Sequence, residues 1–186
     1  MPFQETGFPG LVIFEPRVFN DKRGYFFESY NHKEFKFANH DYEWVQDNQS
    51  QSVYGVIRGL HFQHDPFAQS KLVRVLCGSI WDVAVDIRKG SPTFGKVFCV
   101  ELSSENKLQL LIPKGFAHGF SVLSDNVEVM YKCDNYYHKE SEGSIAWNDT
   151  DLAIDWKIPA EKAIISEKDM NHPSFKDAKL NFTYRG

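Results

Sequence analysis

The sequence predicts an all-β fold, with short strands closed into a sandwich or barrel. Three observations predict it. Residues 80–88 alternate without a break: Trp81, Val83, Val85 and Ile87 share one face, and Ile80, Asp82, Ala84 and Asp86 share the other. Short apolar runs of this kind recur along the chain, separated by turn signals such as Gly78-Ser79. Aromatic residues make up 15% of the 186, with 16 Phe, which suits a barrel around a ring-lined cavity better than a helical bundle.

The elements follow in order. Residues 11–16 read as a strand closed by Pro16. Asp21-Lys22-Arg23-Gly24 is a turn, and 25–30 a second strand on which Arg23 and Glu28 read as solvated edge charges. Residues 32–39 form the best helix candidate of the first half, short and weakly amphipathic. Trp44 and Val45 precede a polar run, Gln46-Asp47-Asn48-Gln49-Ser50. Such a run is either a loop or a row of amides lining a cavity, where they both donate and accept. Residues 58–63 are a strand with Gly59, His61 and Gln63 on one face and Arg58, Leu60 and Phe62 on the other. Further strands are expected at 71–76, 80–88, 98–102, 108–112, 117–123 and 127–133. Beyond Asn135 the pattern loosens. Tyr136 and Tyr137 read as surface rings or a stacking platform. Residues 160–186 read as an exposed polar tail, with a capped turn or short helix start at Ser166-Glu167-Lys168-Asp169.

Length and charge bound the function. The chain suits one domain, 1–186, with a sizeable core. A net charge of −4 gives no support to a general nucleic-acid role, although local basic residues could hold a diphosphate. Cys77, Cys99 and Cys133 cannot all pair within the chain and lack metal-ligand spacing. A reduced, cytoplasmic setting follows, with no signal peptide and no membrane span expected. There is no Gly-x-Gly-x-x-Gly fingerprint and no Walker loop, and no cofactor is expected.

Two stretches carry chemistry. In Arg58-Gly59-Leu60-His61-Phe62-Gln63 an inward histidine is placed for proton transfer, because imidazole titrates near neutral pH. Taken alone, it reads more simply as a hydrogen-bonded core histidine. In Pro113-Lys114-Gly115-Phe116-Ala117-His118 the Pro-x-Gly-x-x-His spacing resembles the second motif of the cupin superfamily, small double-sheet barrels with a site in the barrel mouth. The matching first motif reads His61-Phe62-Gln63-His64, and the usual glutamate is missing, so no metal is expected. Together with Lys71-Leu72-Val73-Arg74, Gln46-Asp47-Asn48, Trp81 to Asp86, Ser91-Pro92-Thr93-Phe94-Gly95, Tyr131-Lys132 and Trp147-Asn148-Asp149, these stretches resemble the dTDP-4-dehydrorhamnose 3,5-epimerase family over nearly the whole chain.

The resemblance implies a jelly-roll, cupin-like barrel with a few short peripheral helices. It implies cofactor-independent inversion of C3 and C5 of dTDP-4-dehydro-6-deoxy-D-glucose, giving dTDP-4-dehydro-L-rhamnose. Such chemistry needs a base, an enolate stabiliser and an acid on the opposite face. The resemblance assigns the base to His61, its support to Asp169, positive charge at the enolate to Lys71, and the acid to Tyr131. Asp82 lies where it could steady Lys71 or His118. Substrate contacts fall to Gln46, Asp47, Asn48, Arg58, His118, Tyr137, Glu142 and Lys168. Arg23 and Glu28 are expected to reach in from a second subunit of a homodimer. Two rivals are a metallo-cupin using His61, His64 and His118, and a non-catalytic sugar-binding cupin. Lys71 counts against the first, and His61, Lys71 and Tyr131 together count against the second.

Overall fold

The computed structural model describes residues 2–186. Strands β1 (Phe3–Glu5), β2 (Val12–Phe14), β3 (Phe19–Asp21) and β4 (Gly24–Phe26) precede helix α1 (His32–Phe37). Asn31 caps that helix, its side chain accepting from the Lys33 N–H. The central strands are β5 (Gln46–Val53), β6 (Val56–Gln63), β7 (Lys71–Cys77), β8 (Ser79–Asp86), β9 (Val97–Ser103), β10 (Gln109–Ile112), β11 (Phe116–Val122) and β12 (Asn126–Cys133). Short strands β13 (Glu142–Ser144) and β14 (Ile164–Ile165) follow.

Two sheets result. One runs β1-β2-β10-β7-β12-β5; the other runs β13-β6-β11-β8-β9, with β14 also on β6. The β3–β4 hairpin stands apart from both. This is the two-sheet, cupin-like architecture that the sequence implied. Between the sheets Val73, Val75, Leu110 and Val129 of one meet Ile80, Ala84, Leu102 and Phe120 of the other. Each sheet also buries its outer face. Phe35 of α1 covers Leu72 and Leu111 on the first, with Val12 and Phe14. On the second, Val83, Val85 and Ala117 are covered by Ile145, Trp156 and Phe182. Period-two patterning therefore holds on β8, where both faces are buried.

Several expectations change. Of the two readings of the polar run after Val45, the row of amides holds: the run is strand β5, each residue pairing with β12 from Gln46↔Cys133 to Val53↔Asn126. The 25–30 strand stops at Phe26. The C-terminal segment is not an exposed tail: Phe182 is 5% exposed and packs against the second sheet. The capped turn at Ser166 to Asp169 is present, the Asp169 N–H donating to Ser166 Oγ at 3.1 Å, and it leads into a 3-10 turn at Asp169–Asn171.

The largest correction concerns β6. Strict alternation placed Arg58 and His61 on opposite faces. The register opposite β11 shifts: His118 faces His61, but Phe120 faces Arg58. Two residues, Gly59 and Leu60, therefore stand opposite the single Gly119, which is a β-bulge. The bulge turns Arg58 and His61 to the same side. Only glycines fit here. Gly59 has φ of +119°, and a Cβ on it would sit 2.6 Å from Gly119 Cα. A Cβ on Gly119 would sit 2.6 Å from the Arg58 carbonyl oxygen.

Gly119→Ala is accordingly expected to cost ~2–4 kcal/mol, because backbone must yield to backbone. Urea unfolding measures it. A loss below about 0.5 kcal/mol, the range of ordinary surface changes, would show that the bulge tolerates a side chain.

Candidate active site

A cavity of about 710 Å³ opens between the two sheets. Arg58, His61 and His118 line one wall from β6 and β11. Gln46, Asn48, Lys71 and Tyr131 line the other from β5, β7 and β12. Tyr137, Glu142, Lys168 and Asp169 form the rim.

His61 and Asp169 lie 108 positions apart in the chain and meet here. His61 Nε2 is 3.2 Å from Asp169 Oδ1, and the Gly59 N–H donates to Asp169 Oδ2 at 3.3 Å. The carboxylate side chain is 7% exposed, while His61 at 35% looks into the cavity. Burial alone would raise the Asp169 pKa. The hydrogen bond and charge of His61, with the Gly59 N–H, outweigh it and hold the carboxyl below its ordinary range.

His118 is fixed in the same way. Its Nε2 lies 2.6 Å from Asp82 Oδ1, with Asp82 fully buried. Asp82 therefore steadies His118 directly. Lys71 makes no ion pair among the described residues. Burial lowers its pKa, and the charges of Cys133 and Asp82 partly restore it. Its ammonium sits 5.6 Å from the centre of the Tyr131 ring. Burial raises the Tyr131 pKa, as does Cys133, against a smaller opposite effect of Arg58. The phenol stays protonated well beyond neutral pH.

Polar contacts set the remaining walls. Arg58 Nε donates to Ser52 Oγ at 3.1 Å, which holds the guanidinium beside the cavity. Gln46 donates to Asn48 Oδ1 at 3.1 Å and accepts from the Tyr137 N–H at 3.0 Å, tying the rim to β5. Gln63 clamps the same loop, donating to the Phe67 and Tyr136 carbonyls and accepting from the His138 N–H. Lys168 Nζ donates to Glu142 Oε2 at 2.7 Å across the rim.

One expected contact is not assembled, and the two residues expected to serve a second subunit lie outside this chain's own cavity. Asp47 points to the other face of β5 and pairs with Lys132 at 3.0 Å, because its neighbours Gln46 and Asn48 take the cavity side. Arg23 stands at the hairpin tip with its side chain 83% exposed, paired with Asp21. Glu28 borders a separate surface depression beside Glu15 and Arg17. His64 also lies away from the cavity: it meets Asn181 and the Phe62 ring, so His61, His64 and His118 do not converge. Two residues went unread in the sequence. Phe120 lines the cavity beside His118. His172 packs edge-on to His61, with ring centres 5.2 Å apart. Its three-residue spacing from Asp169 was the one available signal.

A histidine on one wall and a phenol on the other suit reaction at an acidic carbon. On a cupin-like fold this defines the class of acid–base isomerases. Residues 5–177 match the family model described as dTDP-4-dehydrorhamnose 3,5-epimerase, and the chain belongs to that family. The dTDP-4-dehydrorhamnose 3,5-epimerase of Shigella flexneri is 54% identical over 175 residues, 94% of this chain and 96% of that protein. The crystal structure of the enzyme of the same name from Elizabethkingia anophelis NUHP1 is 56% identical, covers 94% of this chain and 96% of its own, and superposes with a TM-score of 0.90. A dTDP-6-deoxy-D-glucose-3,5-epimerase from Legionella pneumophila Philadelphia 1, solved in complex with dTDP-4-keto-L-rhamnose, is 46% identical. It covers 99% of this chain and 98% of its own, with a TM-score of 0.94.

Asp169 gives a pH prediction. Its folded pKa lies below the unfolded value of about 3.9. The stability it contributes is therefore full above roughly pH 4 and is lost as pH falls through the lower folded value. Asp169→Asn should cost about 1–3 kcal/mol at pH 7, and the gap to wild type should close in acid. Unfolding curves at a series of pH values decide it; a gap unchanged down to roughly pH 2 would deny the ionic role.

Proposed function

We propose that this chain inverts C3 and C5 of dTDP-4-dehydro-6-deoxy-D-glucose, giving dTDP-4-dehydro-L-rhamnose without a cofactor, in a cytoplasmic setting. The observation that carries this reading is the placement of His61 and Tyr131 on opposite walls of one cavity. Family membership supports it over 173 residues.

His61 is the base. Asp169 faces its Nε2 and holds the proton there, leaving Nδ1 as the basic lone pair. Nδ1 takes the proton α to the C4 ketone, and the C–H electron pair moves onto O4 as an enolate. Lys71 supplies positive charge to that oxygen from a site of low polarity, where it acts more strongly than in water. His118, oriented by Asp82, adds a hydrogen bond. Tyr131 gives its proton to the carbon from the other face; solvent then takes the proton from the His61 imidazolium and returns one to the phenolate. The same cycle at the second carbon completes the double inversion. Arg58 suits the diphosphate, since a guanidinium fork matches phosphate oxygens. Gln46, Asn48, Tyr137, Glu142 and Lys168 contact the nucleotide-sugar.

The proton removed is not the one returned, which gives the test. In D₂O, His61→Ala should abolish exchange at both carbons, a loss on the order of 10²–10⁴-fold or more. Tyr131→Phe should leave His61 able to remove a proton and return deuterium to the same face. NMR of the recovered sugar should then show wash-in with C5 retained. Normal inversion at C5 by Tyr131→Phe would hand the acid role to another group.

A homodimer completes the reading. Arg23 tips a hairpin carrying Phe19, Tyr25 and Phe26, each more than half exposed, and reaches away from its own cavity. Apolar exposure of this kind supports burial against a second copy. Light scattering should give twice the chain mass, and Arg23→Ala should raise KM with little change in fold. An active monomer would exclude the shared site.

A further inference from the structure

Behind the base lies a feature that proton transfer at the sugar does not use. His172 follows Asp169 by three residues and has its side chain 6% exposed. Neither ring nitrogen has a hydrogen-bond partner within 3.5 Å among the described residues, and only a longer contact with the Ile145 backbone favours the protonated ring. Burying an imidazole without a partner is costly, so such a ring asks for an explanation. Its Nε2 points at Asp169 Oδ1 from 3.6 Å, while His61 Nε2 approaches the same oxygen at 3.2 Å. One ligand atom from each of the three residues falls within 4.8 Å of the other two.

We propose that His61, Asp169 and His172 form a binding site for Zn²⁺ or a similar divalent transition metal, and that filling it switches the enzyme off. Two imidazoles and a carboxylate are a common ligand set for zinc. Ligand atoms about 2.0–2.1 Å from a tetrahedral ion stand roughly 3.3–3.5 Å apart. The two measured separations from Asp169 already bracket that spacing. Three protein ligands leave a fourth position for water. Lys168, next to Asp169 in the chain, is paired with Glu142 at 2.7 Å, which offsets part of its repulsion of an ion. This site is distinct from the His61, His64 and His118 set, because it draws on the C-terminal segment instead of β11.

Inhibition follows from tautomer chemistry and rests on the reading of His61 as base. A neutral imidazole that binds metal through Nε2 carries its proton on Nδ1. The ion would take the place of the Nε2 proton and force the remaining one onto Nδ1. The lone pair that removes the substrate proton would then be gone. The ion is thus an inhibitor, and chelator treatment should raise activity or leave it unchanged.

The test separates binding from turnover. Zinc is titrated into the metal-free protein against a chromophoric chelator, and histidine ¹⁵N NMR follows the ring nitrogens. One ion per chain is expected, with His61 and His172 both metal-bound at Nε2 and His61 protonated at Nδ1. Turnover should fall in step with occupancy and return with chelator. His172→Gln should weaken zinc binding at least as much as losing an outer partner does, roughly 10–100-fold. Its zinc inhibition, measured against its own metal-free rate, should weaken equally. If His172→Gln fails to fold, the NMR signature in wild type decides alone. No zinc binding, signals only from other histidines, or undiminished binding by a folded His172→Gln would overturn the site. Zinc seated at these rings with turnover unimpaired would overturn the inhibition, while the role of His61 as base is decided apart from it by the His61→Ala exchange in D₂O.

Discussion

Asp169 makes two contacts with one strand, and the site depends on both. It pairs with the His61 ring and accepts the Gly59 N–H, the amide at the start of the β6 bulge. The bulge puts His61 and Arg58 on one side, and Asp169 then holds the ring that the bulge has aimed. Neither half suffices. Without the extra residue Arg58 would leave the cavity, and without the carboxylate His61 would be free to turn. The buried Asp169 carboxylate has both oxygens engaged; unpaired, its charge would cost several kcal/mol.

The two walls use burial for opposite ends. On the β7–β12 side, loss of water makes the Lys71 ammonium harder to keep and the Tyr131 proton harder to lose. The second tendency serves the reaction directly, and the first is opposed by the charges around Lys71. A lysine without a carboxylate partner offers its charge to a developing oxyanion, and a phenol that stays protonated is always ready to give. On the other wall, each histidine is given a carboxylate, Asp169 for His61 and Asp82 for His118. Asp82 Oδ2 has no hydrogen-bond partner. Its charge thus remains available to Lys71, so one aspartate orients a histidine and sustains a cation.

Much of the barrel was legible because period two is a local property. Residues 80–86 declared both faces of β8, and the two-sheet class followed. What stayed hidden was what partners impose. Polar Gln46 to Ser50 reads as either a loop or a row of amides until β12 is there to pair with it. The bulge leaves no trace in composition, because Gly59 and Gly119 acquire meaning only when the strands lie side by side. Asp47 went astray for a local reason: once β5 is a strand, two adjacent residues cannot both face the cavity. His172 was unreadable because its neighbours, His61 and Asp169, meet it only after the chain has returned. The carry-over of Asp169 came from family resemblance, since nothing within its own segment distinguishes it from a surface acid.

That return has its own cause. The C-terminal segment carries few charges that need the site and several rings that need cover. Phe182 reaches the outer face of the second sheet, Phe175 and Leu180 pack beside it, and Trp156 lies with them. The Phe175 N–H is held by Asp149 at 2.7 Å, and the Ala146 N–H donates to the Pro173 carbonyl at 2.7 Å. These contacts bracket residues 169–172 from the C-terminal side, while β14 pinned along β6 brackets them from the other. Apolar burial at roughly 25 cal/mol per Å² therefore supplies the energy that keeps a charged carboxylate behind the base. The polar site is precise because its support is hydrophobic and lies on the far side of the sheet. For the same reason His172 is brought close to Asp169 and His61, whether or not turnover has a use for it.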